Sequence, residues 1–218
     1  MTAFRRVFTT MGIVVVLSSL SGVAVAGPLG SSSGSSRASI ASELYIDAAV
    51  RDALLRPATA ADMERWARPL DLGATRSAVV ADILNQPEWY RSVVAYLYDS
   101  ILYRDPDPSG LAYWSGRLAR GLPTASLAAA LVGSNEYYDG AGGTPERYVT
   151  VVYVAVLGRQ PDAAGRDYWV RRIESGESRA VIAKSFWLTT ETNARRVDDL
   201  HLRFLGRLPD EFARVVWS

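Results

Sequence analysis

Residues 157–169 read L-G-R-Q-P-D-A-A-G-R-D-Y-W, and the fold follows from how often this stretch returns. Residues 102–114 read L-Y-R-D-P-D-P-S-G-L-A-Y-W, and residues 205–217 read L-G-R-L-P-D-E-F-A-R-V-V-W. A worn copy, L-L-R-P-A-T-A-A-D-M-E-R-W, occupies residues 54–66. The closing residues Trp66, Trp114, Trp169 and Trp217 are spaced by 48, 55 and 48 residues. A period of this length marks a repeat architecture, each unit being one supersecondary element.

The apolar pattern around each signature is helical. Tyr148, Val151, Val152, Ala155 and Val156 fall at i, i+3, i+4, i+7 and i+8, one face of a helix. Thr144, Pro145 and Glu146 supply an N-cap, a proline at the first helical position and an acid in the first turn. Leu157-Gly158-Arg159 ends that helix, with glycine suited to a left-handed residue. A second helix starts at Asp162, whose place is held by Asp107, Asp210 and, in the worn copy, Thr59. Aspartate and threonine share capping ability. A metal ligand or catalytic acid would not be exchanged for threonine without loss.

Each Trp stands seven residues after its cap and reads as core. Gly73, Gly121 and Gly176 end the second helices, and residues 75–84, 124–132 and 178–188 form the third. Glu88, Glu136 and Glu191 mark the start of the next unit. The predicted fold is all-α: tandem three-helix repeats of about 48 residues, packed into a short solenoid or a compact helical domain. Residues 41–90 form a degenerate repeat, 91–138 and 146–191 two full ones, and 139–145 an exposed insert loop. Residues 192–218 read as a half-repeat that either caps the stack or is a truncated copy.

Residues 1–26 have the parts of an export signal: Arg5 and Arg6, an apolar run, and the small-x-small site Ala24-Val25-Ala26. Thr9, Thr10, Ser18, Ser19, Ser21 and Gly22 dilute the run below the roughly 20 apolar residues of a spanning helix. Cleavage after Ala26 is therefore predicted, with membrane contact only through the signal before cleavage. Cys is absent, so no lipid-anchored lipoprotein forms at the cut and the core alone must stabilise the fold. Residues 27–40, rich in Gly and Ser, read as a flexible linker. The predicted location is secreted, extracellular or in the cell envelope. Without Arg5 and Arg6 the chain has 22 basic and 23 acidic residues, a net charge of −1. That balance argues against a nucleic-acid partner.

These residues resemble the bacterial family called domain of unknown function 4214, whose pattern runs Y-x3-L-G-R-x-P-D-x2-G-x2-Y-W, then a Gly and a closing S-x-E. The third copy matches through Tyr153, Leu157, Gly158, Arg159, Pro161, Asp162, Gly165, Tyr168, Trp169 and Gly176. The second matches through Tyr98, Leu102, Arg104, Pro106, Asp107, Gly110, Tyr113, Trp114, Gly121, Ser134 and Glu136, and departs at Tyr103, where the pattern has Gly. The fourth carries His201 for the Tyr, and the first keeps little beyond Arg56, Trp66, Gly73 and Glu88. The resemblance implies an exported or surface-associated bacterial protein with no established catalytic residues, in a family often found beside secreted and calcium-binding modules.

Chemistry has few footholds. His201 is the single histidine and stands at a packed Tyr position, so it reads as structural; with no Cys, a zinc site is not expected. Asp105, Asp107, Ser109 and Gly110 imitate the start of an EF-hand loop. Its twelfth position is Gly116, where an acid is required, so no metal and no cofactor is expected. Arg56, Arg104, Arg159 and Arg207 recur in every copy. They read either as a row recognising an acidic glycan or as clamps on helix ends and the recurring Glu. Retention in the worn copy favours clamps. Trp89 and Tyr90 beside Glu88, and Tyr137 and Tyr138 beside Glu136, are the candidate ligand-binding residues. Hinge packing accounts for them best, and stacking on sugar rings is the functional alternative. The expected function is an exported, non-catalytic module binding extracellular or envelope polysaccharide. A protein-binding scaffold or adhesion repeat, engaging a surface protein, is the alternative. A glycan-active enzyme is a third reading, for which no recurring carboxylate pair speaks.

Overall fold

The computed structural model describes residues 31–187, together with residues 198, 208 and 209. The predicted export signal, Glu191, and His201, Arg207, Asp210 and Trp217 of the fourth copy lie outside the described residues. Among the described residues every regular element is helical and none is a strand, so the fold is all-α. The chain divides between Ser92 and Val93 into two compact units.

The unit before that boundary opens with α1, Ser31–Leu54. Helix α2 follows in three joined pieces: Ala60–Asp62, the π-helical Met63–Ala67, and Arg68–Asp71. Helix α3 spans Arg76–Leu84, and α4, Pro87–Leu102, begins in this unit. Ile46, Ala49, Val50, Ala53 and Leu54 form the inward stripe of α1. They meet Trp66 and Ala67 of α2 and Val79 and Ile83 of α3, with Trp89 packed against the cluster. The stretch 27–40, where composition predicts a flexible linker, is helical from Ser31 onward. Extending an anchored helix adds one hydrogen bond per residue, and Ser costs only about 0.5 kcal/mol relative to Ala, so the packed half of α1 carries the polar half with it.

From Val93 onward the elements are the rest of α4, then α5 (Pro108–Ala119), α6 (Thr124–Val132), α7 (Asn135–Gly140), α8 (Pro145–Val152), α9 (Ala163–Glu174) and α10 (Arg179–Trp187). A π-helical turn, Tyr153–Leu157, prolongs α8. Helix α6 packs on α10 and α8 on α9. Leu127, Tyr148, Val149, Val152, Ile182 and Phe186 are sealed in this core. The predicted insert loop 139–145 starts later than expected, because α7, capped by Ser134, runs through Asp139 and Gly140 before the chain turns at Gly142 and Gly143. The insert thus divides one long first helix into α7 and α8.

The punctuation residues act as their types suggest. Gly73, Gly121 and Gly176 have φ of 97°, 89° and 89°. Each donates three residues back, at 2.9 to 3.0 Å, while the next amide reaches five back, as from Leu122 to the Arg117 carbonyl at 3.0 Å. That pairing satisfies the last carbonyls of each second helix. Gly158 sits left-handed at φ 68°, as do Leu55 at 58° and Tyr103 at 56°, the equivalent residues of the two earlier signatures. The geometry survives without glycine at a cost of about 1 kcal/mol each.

Candidate functional site

The signature residues converge on one knot at the mouth of each second helix. Asp107 accepts from the Gly110 amide at 2.9 Å and Asp162 from the Gly165 amide at 2.7 Å. Thr59 accepts from the Asp62 amide at 3.3 Å and closes a capping box with it. Arg104 donates through Nε and Nη2 to both oxygens of Glu136, at 2.6 and 2.8 Å. Arg56 holds Glu88 in the same way, at 2.5 and 2.9 Å. Each pair spans 32 residues, and Arg159 and Glu191 have the same spacing, with Glu191 outside the described residues. Arg56, Arg104 and Arg159 also donate to the carbonyl of the following residue. Arg104 and Arg159 lie over the rings of Tyr98 and Tyr153, at 5.2 and 5.3 Å from the centroids.

The worn copy solves the same problem with different residues. Val50 stands at the Tyr98 position and Asp62 at the Gly110 position. Lacking the aromatic ring, Arg56 takes the Asp62 carboxylate at 2.6 Å beside Glu88. Its guanidinium, helped by the Thr59 amide and hydroxyl, holds the buried Asp62 carboxyl down to about 2 from 3.8. Arg56 likewise lowers Glu88. A carboxylate depressed in the folded state stabilises fully above its unfolded value, and the contribution disappears as pH falls through the folded value. Asp62 should therefore contribute up to about 2 kcal/mol at neutral pH, lost between roughly pH 4 and pH 2. Urea midpoints across that range should fall more steeply for the wild type than for Asp62→Asn; parallel curves would refute the assignment.

The predicted ligand-binding aromatics are half-buried and engaged with the protein. Trp89 packs on the first core and stands edge-on to Tyr90 at 5.0 Å. Tyr137 and Tyr138 meet the sealed Tyr148 ring at 6.2 and 5.6 Å. Burial pushes the Tyr137 and Tyr148 phenols well above their ordinary range. Arg179 covers Tyr138 at 4.3 Å. Glu88 and Glu136, predicted beside them, are the carboxylates held by Arg56 and Arg104.

The signature tryptophans differ from one another. Trp66 is 3% exposed, its Nε1 donating to Asp82 at 2.8 Å, whereas Trp114 and Trp169, also predicted as core, are half-buried. An indole tolerates this because its ring can pack on one side while its edge stays wet: Trp169 meets Phe186 at 4.7 Å and the Arg172 guanidinium at 5.0 Å. Beside these half-buried rings stand tyrosines that the sequence reading passed over as ligand candidates, Tyr113 and Tyr168, 53% and 48% exposed. Each is edge-on to its Trp, at 4.9 and 5.0 Å. Each accepts a hydrogen bond on its hydroxyl from an arginine four residues on, Arg117 at 2.8 Å and Arg172 at 3.0 Å. The signal was present as Y-W-x2-R in both full copies. Among the described residues no group of His, Cys, Asp and Glu is placed to hold a metal ion, and no helix is long and apolar enough to cross a membrane.

The sequence profile of the family described as Domain of unknown function (DUF4214) matches residues 89–141 and 128–196. The chain belongs to this family. The two DUF4214 matches overlap, and neither reaches the worn copy before Trp89. No curated protein and no solved structure matches the chain. The DUF4214 signature in this chain is thus a helix-joining knot: Asp caps, Arg bridges to the next unit's Glu, and Tyr supports the Arg. The aromatic pair that follows reaches the surface.

Proposed function

We propose that this protein is an exported helical module that binds an extracellular or cell-envelope polysaccharide and performs no catalysis. The observation that carries the reading is the exposed Tyr beside a half-buried Trp, braced by an Arg, at the same place in both full copies: Tyr113-Trp114-Arg117 and Tyr168-Trp169-Arg172. A chain-like ligand with a repeating unit is met most economically by a repeating surface, and amphipathic aromatics offer a flat apolar face with a polar edge. Bracing by Arg fixes each ring beforehand, which lowers the ordering cost on binding. The export-signal pattern of residues 1–26 supports a location where polysaccharide is found.

The test is affinity electrophoresis of the full chain through gels containing individual extracellular polysaccharides. Retardation by at least one, weakened tenfold or more in Tyr113→Ala/Tyr168→Ala, is expected, since central aromatic contacts commonly contribute above 1 kcal/mol. Unretarded migration through every gel would exclude the reading. A protein-binding scaffold is the second reading, favoured by the exposed Ile40 and Leu44, one turn apart on α1. Loss of a secreted-fraction partner on Ile40→Ser/Leu44→Ser, with electrophoresis unaltered, would select it.

A further inference from the structure

We propose that the shelf on α5 formed by Tyr113, Arg117 and Arg120 selects polysaccharides carrying carboxylates, that is, uronate-containing chains. The proposal rests on the polysaccharide reading above and names its substrate class. Positions 113 and 117 lie at i and i+4 on one side of α5, and Arg120, at i+7, is the C-cap that closes the helix. Gly116, one turn after Tyr113, leaves bare backbone between the tyrosine and Arg120. The Arg120 guanidinium lies folded back beside it, 3.5 Å from where a Cβ would stand. Arg117 holds its guanidinium 5.6 Å from the Tyr113 ring centroid and uses one Nη1 hydrogen bond on the Tyr hydroxyl.

What separates this place from its counterparts is charge. Arg56 is bound by the carboxylates of Glu88 and Asp62, Arg104 by both oxygens of Glu136, and Arg172 by Glu177 through Nε and Nη2. Leu122 stands where Glu177 stands in the following copy. Neither Arg117 nor Arg120 has an ion pair among the described residues. Two exposed guanidiniums beside an exposed tyrosine, with no acid answering them among the described residues, therefore await an anion from outside. The planar fork of Arg matches a carboxylate in two hydrogen bonds. A pyranose acid supplies both an apolar ring face for Tyr113 and a carboxylate a few ångströms away. A peptide acid would supply the charge without the face.

The test compares the full chain in gels containing polygalacturonate, dextran or polyglutamate, at low and high salt. Binding to polygalacturonate at least tenfold tighter than to dextran or polyglutamate is expected, weakening as salt rises. Arg117→Gln/Arg120→Gln should lose tenfold or more toward polygalacturonate, with an unchanged helical circular-dichroism spectrum. Arg68→Gln, which removes an exposed arginine from α2, should change nothing. Equal retention by dextran and polygalacturonate, undiminished in the double variant, would overturn the acidic selectivity while leaving the polysaccharide reading intact. Equal retention by polyglutamate would overturn it in favour of charge alone. Free migration in every polysaccharide gel would remove both readings.

Discussion

Gly133→Ala should destabilise the unit that follows Val93 by about 3 kcal/mol or more, the upper end of the range for overpacked sites. Gly133 closes α6, with φ −77° and ψ −4°, so no unusual backbone angle requires glycine there. The requirement is steric. A Cβ would lie 2.4 Å from the Ala180 nitrogen, 2.5 Å from its Cα and 2.8 Å from its Cβ. Backbone cannot swing aside as a side-chain tip can. The junction is also latched from several sides: Arg179 Nε donates to the Gly133 carbonyl at 3.4 Å and Nη2 to Asn135, while the Tyr148 hydroxyl donates to the Arg179 carbonyl at 3.3 Å. A thermal scan should show the melting point lowered by about 12 °C or more, given roughly 4–8 °C per kcal/mol in a unit of this size. Two controls sharpen the result. Gly140→Ala, with nothing within 4 Å of the new Cβ, should be neutral or slightly stabilising. Ala180→Gly should fail to rescue Gly133→Ala, because the nearest atoms are backbone. Rescue, or a loss below about 1 kcal/mol, would show that α6 and α10 can part without cost.

How far the sequence alone reached follows from what each residue depends on. Caps, breaks and helix stripes are local, and Thr144, Asp162 and Gly176 act as their neighbours in the chain dictate. The 48-residue spacing carried the repeated Arg–Glu bridge as well, since Arg104 and Glu136 recur together. Gly133 shows where local reading stops. A glycine after a helix suggests a left-handed cap, yet its φ is negative and its necessity comes from Ala180, 47 residues away. Periodicity likewise placed every signature Trp inside without distinguishing Trp66 from Trp114, because depth depends on the opposing helix rather than on register. The candidate site suffered from the same blindness. Trp89 and Tyr137 stand at joints, where hinge packing and a surface site look alike in sequence, while Tyr113 and Tyr168, inside a motif that looks structural, are left in solvent.

Gly165→Ala should cost about 1–2 kcal/mol by itself and little or nothing in a Tyr153→Phe background, a coupling that single substitutions could not reveal. A Cβ on Gly165 would fall 2.6 Å from the Tyr153 hydroxyl oxygen, but 3.5 Å from the ring carbon bearing it. The hydroxyl is the main obstruction, since the next atom, Asp162 Oδ1 at 3.2 Å, needs to give by only a few tenths of an ångström. The ring cannot rotate clear: it is 6% exposed, edge-on to Phe186 at 5.1 Å and covered by Arg159 at 5.3 Å. Phenylalanine removes the obstruction and keeps the platform under Arg159. Alanine then gains the helix propensity that glycine lacks, about 0.5–1 kcal/mol. The second copy should respond less, since its Cβ would lie 3.1 Å from the Tyr98 hydroxyl, where a few tenths of an ångström suffice. The internal copies already pair these positions: tyrosine with glycine twice, Val50 with Asp62 in the worn copy, His201 with Ala213 in the fourth. A residue with a Cβ appears at the glycine position only where the long phenol is gone. Urea unfolding of the four members of the cycle measures the coupling. Additive costs would mean that glycine is kept here for a reason other than the hydroxyl, and the knot would lose the contact that ties its tyrosine to the second helix.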